Sequence, residues 1–123
     1  MGEAAEAELL ELKRQKWMGP AVIDYTADLH DLSDTAALID NLDLVISVDT
    51  STAHLAGALG KPLWILNRFD SCWRWLLGRP DSPWYPTAKL YRQRNAGHWN
   101  DVVAQVNADL IHFVRNESAA IEA

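Results

Sequence analysis

A turn rich in hydroxyl groups, followed by a histidine, is the part of the sequence best suited to chemistry. The segment Asp-Thr-Ser-Thr-Ala-His occupies residues 49–54, directly after the apolar run 44–48. The first N–H groups of a helix are unpaired and carry a partial positive charge, so a helix that begins here would attract an anion. His54 follows Thr50 by four residues and Ser51 by three, which places the imidazole on the same helix face as these hydroxyls.

This turn is therefore a predicted site for the phosphate groups of a ligand. The hydroxyls and the imidazole would add hydrogen-bond donors to those of the backbone. The predicted ligand-binding residues are Asp49, Thr50, Ser51, Thr52 and His54. Asp, Ser and Thr are also the ordinary residues at helix N-termini, and a purely structural cap is the alternative.

Two arginines among aromatic residues form a second candidate site. Arg68 and Arg74 lie in an irregular segment after the apolar run 63–66. Guanidinium groups pair well with phosphate, so both arginines are expected to help to bind an anion. Trp73 or Trp75 offers a ring on which a nucleobase can stack.

The aromatic residues also have a structural interpretation. Trp75 and the two leucines that follow it could fill a small satellite core beneath a long loop, and we favour this role for Trp75. Trp84 and Tyr85 lie between prolines, a pattern typical of a rigid, packed turn, although they could also form the wall of a pocket. Cys72 is expected to be a buried small hydrophobe.

The other polar residues carry no signature of a metal or cofactor site. The four histidines are scattered without zinc-ligand spacing, and no Asp-x-Asp pair marks a metal-bound diphosphate. A Gly-x-Ser-x-Gly elbow and a phosphate loop that ends in Gly-Lys-Ser/Thr are both absent from the sequence. We therefore expect neither a metal nor a cofactor.

Apolar patterns and turn residues predict alternating helices and strands that position these sites. The predicted helices cover residues 3–17, a segment that Ser33 caps, residues 52–59 and a segment from about Asn100. The predicted strands cover residues 21–25, 44–48, 63–66 and 89–92. This alternation predicts an α/β fold with a short, mainly parallel sheet. Ligands of such sheets bind beyond the carboxyl ends of the strands, where both candidate sites lie.

Two of the predicted helices have distinctive residues. Gly60 stands where a left-handed C-terminal cap belongs, and Pro62 follows it. The small residues in 53–58 should let the preceding helix lie close to the sheet. In the last helix a helical stripe comprises Val102, Val103, Val106, Leu110, Phe113 and Val114.

The composition is that of a globular chain of one domain. The chain has 123 residues, of which 49% are hydrophobic and 23% charged. The net charge of −6 argues against nucleic acid as a partner. Residues 61–98, however, carry 7 basic and 2 acidic side chains, a net charge of +5. This stretch favours an anionic small ligand or partner, and a chance cluster on a solvated face is the alternative.

The sequence also predicts where the protein resides. It has a single cysteine and no N-terminal signal pattern. Its longest apolar runs are far shorter than the roughly 20 residues that span a bilayer. These features predict a cytoplasmic protein without a transmembrane segment.

Residues 34–93 resemble the C-terminal part of bacterial glycosyltransferases of the GT-B fold. The matching stretches are residues 34–39, 42–50, 54–62, 73–77 and 81–86. The most specific pattern is Asp-Thr, three residues, then His-Leu-Ala, at residues 49–56. The resemblance is to proteins that join such a domain to tetratricopeptide repeats, to the ADP-heptose lipopolysaccharide heptosyltransferases and, more distantly, to O-linked N-acetylglucosamine transferases.

The resemblance implies a Rossmann-like, three-layer α/β sandwich that is one half of a GT-B fold. Residues 1–20 would be a helical segment, and residues 21–123 a nucleotide-sugar-binding domain. The turn at residues 49–54 would hold the diphosphate of a nucleotide-diphosphate sugar, with Arg68 and Arg74 as helpers. The heptosyltransferases usually have glycine where Ser51 stands, so a side chain would narrow the approach to phosphate. The implied reaction is an inverting, metal-independent glycosyl transfer.

The chain corresponds to only one of the two halves that this family uses. The catalytic base and the acceptor site of the family lie largely in the N-terminal half. We therefore expect donor binding without efficient transfer by this polypeptide alone, with the missing N-terminal domain or another protein as partner. A homodimer is left open.

Two other functions fit the same residues. The first is a degenerate, non-catalytic module that binds proteins through exposed tryptophans. The second is an unrelated Rossmann-like enzyme that uses a phosphorylated metabolite.

Overall fold

The computed structural model describes residues 3–15 and 18–122, and it divides the chain into two compact units. The first unit is Met1–Thr35 and the second is Ala36–Ala123. That residues 21–123 act as one nucleotide-sugar-binding domain stays a prediction.

The first unit contains helix α1 (Glu3–Arg14) and a short 3-10 turn at Thr26–Asp28. The predicted end of α1 at residue 17 lies outside the described residues. The predicted strand at residues 21–25 is wrong, because this segment is irregular and exposed. The Asp24 carboxylate accepts a hydrogen bond from the backbone N–H of Thr26 at 3.0 Å. This local hydrogen bond supports a turn and competes with an extended strand.

Helix α2 (Leu32–Asp40) begins in the first unit and ends in the second. The predicted cap at Ser33 is wrong by two residues. Asp31 Oδ1 accepts the N–H groups of Ser33 at 2.8 Å and Asp34 at 2.9 Å, as an N-cap carboxylate does. These hydrogen bonds, chiefly that of the Asp34 N–H, hold the pKa of Asp31 below its ordinary value.

The second unit is built on a three-stranded parallel sheet in the order β1-β2-β3. The strands are β1 (Val45–Val48), β2 (Leu63–Asn67) and β3 (Ala88–Arg92). Helix α3 (Ser51–Ala58) connects β1 to β2, and helix α4 (Asn100–Glu122) follows β3. The predicted α/β class is therefore confirmed as a Rossmann-like fragment, a short parallel sheet flanked by helices. Gly60 has φ 70°, the left-handed conformation predicted for it.

The two faces of the sheet have separate apolar cores, because successive strand residues point to opposite sides. Leu63 and Ile65 of β2 pack into the core that contains Ala53 and Ala56 of α3. On the other face, the core comprises Trp64, Tyr91 and Val102, with Leu44, Leu66, Trp99, Val106, Leu110 and Phe113 against it.

The stripe predicted on α4 is only partly confirmed. Val102 is buried, and Val106, Leu110 and Phe113 pack beside it. Val103 and Val114 are exposed. The packed residues recur every three or four positions and form a single narrow seam, so the neighbouring valines lie outside it.

Candidate functional site

Two clefts open at the carboxyl ends of β1 and β2, where the fold class leads us to expect a ligand. The first has a volume of about 740 Å³, a size typical of small-molecule sites. It is lined by Asp49, Thr50, Ser51, His54, Trp73, Arg74, Trp84 and Tyr85. The second has a volume of about 480 Å³ and is lined by Val48, Asp49, Leu66, Asn67, Arg68, Asp70, Ser71, Cys72 and Trp99.

The N-terminus of α3 faces the first cleft. Thr50 precedes the helix in an extended conformation (φ −141°, ψ 171°), and its side chain does not cap the helix. The Thr50 hydroxyl instead lies 3.2 Å from that of Ser47. The N–H groups of Ala53 and His54 bond to the carbonyl oxygen of Thr50. The Thr50 side chain therefore does not act as a helix cap, which was the structural alternative for this turn. Thr50 lines the cleft instead.

His54 is held by three neighbours. Its Nδ1 lies 3.0 Å from the hydroxyl of Tyr85, and its Nε2 lies 3.5 Å from Oδ1 of Asp49. Its ring stacks on the buried Trp75 with a centroid distance of 5.1 Å and an interplanar angle of 18°. A partly exposed imidazole held in this way can donate a hydrogen bond to a bound anion with little loss of side-chain entropy.

Tyr85 lines the cleft, the alternative that the sequence left open, although sequence reasoning did not select it as a binding residue. Its ring lies so close to α3 that a Cβ on Gly57 would be 2.5 Å from the ring. Gly57 therefore makes room for Tyr85, whereas we had expected it to bring the helix near the sheet. The N–H of Tyr85 bonds at 3.3 Å to the hydroxyl of the buried Ser82, which also accepts the N–H of Trp84 at 3.2 Å. Two hydrogen bonds to one hydroxyl thus support the turn between the prolines, which also forms a wall of the cleft.

The structure brings together five of the seven residues predicted for the site. Asp49, Thr50, Ser51, His54 and Arg74 line the first cleft. Thr52 is half-buried and lines neither of the two clefts. It lies on a different side of α3 from His54, since two residues along a helix do not share a face.

Arg68 lies apart from the first cleft and lines the second. Its Nε and Nη2 donate to the Asp70 carboxylate at 3.0 and 2.6 Å. These hydrogen bonds lower the pKa of Asp70. Because the carboxylate neutralises the guanidinium, Arg68 is less available to phosphate than its charge predicts.

Arg74 belongs to an aromatic wall of the first cleft. Its guanidinium lies 5.2 Å from the ring centre of Trp73, and its carbonyl oxygen accepts the indole N–H of Trp84 at 2.9 Å. Arg74 Nη1 also donates to the thiol of the half-buried Cys72 at 3.1 Å. The wall therefore combines a cation with two exposed indole rings.

Trp75 has the structural role predicted for it, because it fills a core, although this is not the satellite core beneath the loop. Trp75 is fully buried in the core shared with α3 and β2 rather than in a satellite cluster. It stacks on His54 and is not exposed to a nucleobase. Leu76 and Leu77 were expected to pack with it, and this is wrong because both are exposed.

Arg92, on β3, is a second residue that sequence reasoning missed. Its Nε donates to the carbonyl oxygen of Arg79 at 3.1 Å, and its Nη1 to the hydroxyl of Ser71 at 3.1 Å. Its Nη2 bonds to the carbonyl oxygen of Trp75. Burial lowers the pKa of Arg92. This side chain ties the loop after β2 to the sheet and so fixes the aromatic wall.

Within residues 3–15 and 18–122, no three His, Cys, Asp or Glu side chains converge as metal ligands. In the same part of the chain, the helices are too short or too polar to cross a bilayer.

Residues 24–70 match the sequence model of glycosyltransferase family 9 (heptosyltransferase). This match includes the hydroxyl-rich turn and α3. Over 103 residues the chain is also 37% identical to Protein FlbA of Caulobacter vibrioides, an alignment that covers 84% of this chain and 16% of that protein. The chain thus spans about a sixth of the length of this relative. No solved structure gives a significant match.

The comparisons support a glycosyltransferase-like module that includes residues 24–70. They do not support the narrower resemblance to proteins linked to tetratricopeptide repeats or to O-linked N-acetylglucosamine transferases.

Proposed function

We propose that the first cleft binds the diphosphate of a nucleotide-diphosphate-sugar donor for glycosyl transfer. The observation that carries this proposal is the N-terminus of α3, which faces the cleft beside His54. A diphosphate there would meet backbone N–H groups, the hydroxyls of Thr50 and Ser51, and the imidazole. The segment also lies within the residues that match the family 9 model.

The same geometry suggests what this module contributes to the reaction. In an inverting transfer, an acceptor hydroxyl displaces the nucleoside diphosphate directly, and negative charge grows on the leaving diphosphate. A helix N-terminus and a held imidazole stabilise that charge more strongly in the transition state than in the bound donor. Arg74, which lines the same cleft, adds a cation. We include metal-independent chemistry in the proposal, since these groups can serve the role of a metal ion.

We further propose that transfer needs more than this polypeptide. The described cleft supplies groups for the leaving diphosphate, and our proposal places the base and the acceptor site on a second domain or a partner protein. The same proposal places the protein in the cytoplasm, where nucleotide sugars are made.

A protein-binding module is the second candidate, and the exposed aromatic residues favour it. Trp73 is 71% exposed, Trp84 is 59% and Leu77 is 84%. Exposed tryptophans of this kind are enriched at protein interfaces. Under this alternative, the cleft would not respond to nucleotides.

Titration with UDP, ADP and GDP tests the donor proposal. Calorimetry and NMR of the backbone amides detect the binding. We expect one nucleotide to bind, with shifts centred on residues 49–56. The variant His54→Ala should bind it roughly 10- to 150-fold more weakly, since a hydrogen bond to a charged group contributes roughly 1.5–3 kcal/mol. His112→Ala, at an exposed histidine of α4, should leave the affinity unchanged. Binding of no nucleotide by the folded chain would contradict the proposal and favour the protein-binding module.

A further inference from the structure

We propose that the second cleft, at the end of β2, receives the glycosyl group of the donor and that Asn67 recognises its hydroxyls. This inference rests on the proposed diphosphate site in the first cleft. The two clefts share Asp49 as a wall. A sugar is bonded directly to the terminal phosphate, so its site must adjoin the phosphate site in this way.

Asn67 is the observation that points to a ligand. It is the last residue of β2, is 1% exposed and lines the second cleft. Among the described residues, neither its Nδ2 nor its Oδ1 has a hydrogen-bond partner. A buried amide without partners costs free energy, roughly 1–3 kcal/mol for each unsatisfied group. A ligand that offers both a donor and an acceptor would remove this cost.

A second buried amide lies next to Asn67. The N–H of Gln93 donates to the carbonyl oxygen of Asn67 at 3.0 Å, and Gln93 Oε1 accepts the N–H of Phe69 at 3.1 Å. In the part of the chain that the structure describes, Gln93 Nε2 has no partner. Gln93, together with Arg68, Asp70 and Trp99, lines a further cavity of about 320 Å³. Of the four buried side-chain atoms without a partner in the described residues, three therefore belong to these two amides, and the fourth is Nε1 of Trp75.

The lining of the cleft matches the chemistry of a sugar ring. A hydroxyl group donates one hydrogen bond and accepts others, so two adjacent hydroxyls can bond to both ends of one carboxamide. The Asp49 carboxylate accepts from hydroxyls, and the half-buried Trp99 offers an apolar face to the C–H groups of the ring. Other polar side chains are already engaged, because Asp70 bonds to Arg68 and Ser71 to Arg92.

A nucleobase fits this cleft less well. The ribose separates the base from the diphosphate, whereas the second cleft begins at Asp49, beside the phosphate site itself. The exposed rings of Trp73 and Trp84 in the first cleft offer a more suitable surface for a flat, apolar base.

Matched nucleotide pairs test the inference: UDP with UDP-N-acetylglucosamine, ADP with ADP-glucose and GDP with GDP-mannose. The variant Asn67→Leu keeps the approximate size of the side chain and removes its hydrogen-bonding atoms. We expect at least one nucleotide sugar to bind about tenfold more weakly to this variant, while the parent nucleotide binds as before. Asn107→Leu, at an exposed asparagine of α4, should change neither affinity.

The stability of the same variant separates recognition from a structural role. Because the amide of Asn67 has no partner among the described residues, Asn67→Leu should unfold at the same or a higher urea concentration than the wild type. An equal loss of affinity for nucleotide and nucleotide sugar, together with easier unfolding, would overturn the inference and assign Asn67 a structural role.

An NMR measurement on the unmodified chain avoids any dependence on the variant. The side-chain Nδ2 proton pair of Asn67 should shift with a nucleotide sugar and remain in place with the matching nucleotide. If the backbone of residues 49–56 responds to nucleotides but this pair responds to none of the three sugars, the inference fails and the donor proposal stands. If no nucleotide shifts the backbone, the donor proposal itself fails.

Discussion

At the scale of single residues, the site depends on how Tyr85 holds His54. The Tyr85 hydroxyl lies 3.0 Å from Nδ1 and the Asp49 carboxylate 3.5 Å from Nε2. In the neutral imidazole, a hydroxyl that donates to Nδ1 leaves the proton on Nε2, which then points to Asp49 and the cleft. Tyr85 is thus a positioning residue, which acts on the ligand through His54.

The variant Tyr85→Phe removes this hydroxyl and keeps the ring on Gly57. We expect nucleotide affinity to fall about three- to tenfold, because one hydrogen bond that orients the imidazole is lost. The ¹⁵N shifts of the two ring nitrogens of His54 should change from a dominant Nε2–H tautomer to a mixture. Tyr25→Phe, at an exposed tyrosine, is the matched control. Unchanged ring shifts in Tyr85→Phe would contradict the role of Tyr85.

At the scale of elements, the loop between β2 and β3 forms the aromatic wall, and β3 holds it through Arg92. Residues 71–79 contain only a short 3-10 turn, Trp73–Trp75. Three hydrogen bonds from one guanidinium replace the regular structure that this loop lacks. A planar fork of donors can reach three acceptors at once, which an ammonium group on a flexible chain cannot do.

The variant Arg92→Lys should therefore loosen this loop while keeping the charge. We expect the free energy of unfolding to fall by about 1–2 kcal/mol, since partly buried acceptors lose their donors. Amide hydrogen exchange in residues 71–79 should become faster, and urea denaturation gives the change in stability. Arg94→Lys, at an exposed arginine, should change neither the stability nor the exchange rates. Equal exchange rates in the two variants would show that Arg92 does not hold the loop.

At the scale of the whole molecule, a charged cluster links the sheet to α4 and makes stability depend on pH. Asp109 of α4 accepts hydrogen bonds from Lys89 at 2.6 Å and from Tyr91 at 2.7 Å. These bonds, first that of Lys89, hold the pKa of Asp109 below the ordinary value of about 3.9. Burial raises the pKa of Tyr91, and the hydrogen bond to Asp109 adds to this effect.

The sign of the pH effect follows from the lowered pKa. A carboxyl group that binds its proton less readily when folded stabilises the fold above its unfolded pKa, and this contribution is lost as the pH falls through the folded pKa. Asp109→Asn should therefore reduce the free energy of unfolding by about 1 kcal/mol at pH 7. Relative to wild type, the deficit should shrink below about pH 4. Urea denaturation across this range measures it.

A matched control is Asp43→Asn, at an exposed aspartate, which should show no such deficit. A deficit of Asp109→Asn that persists unchanged at low pH would mean that the ionised carboxylate is not its source. The cluster would then act through packing alone.

The positions of the main elements could be predicted where the signal was local. The apolar run at residues 44–48 predicted β1, because a continuous apolar run is typical of a parallel strand buried on both faces. Gly60 took its left-handed conformation because that conformation depends on the residue itself. The local signal gave a wrong prediction for residues 21–25. Their apolar character resembled a strand, yet a strand needs a neighbouring strand, and the described structure gives them none.

For the candidate site too, the local features could be predicted from the sequence and the long-range contacts could not. By itself, the sequence determined the hydroxyl-rich turn, the helix that follows it and His54 on the face of Thr50 and Ser51, because one helical turn relates these residues. Only the tertiary structure decided that Tyr85 meets His54, that Arg68 turns to Asp70, and that Asn67 is buried without a partner. Such contacts join residues through the folding of loops, for which no spacing along the chain gives a rule.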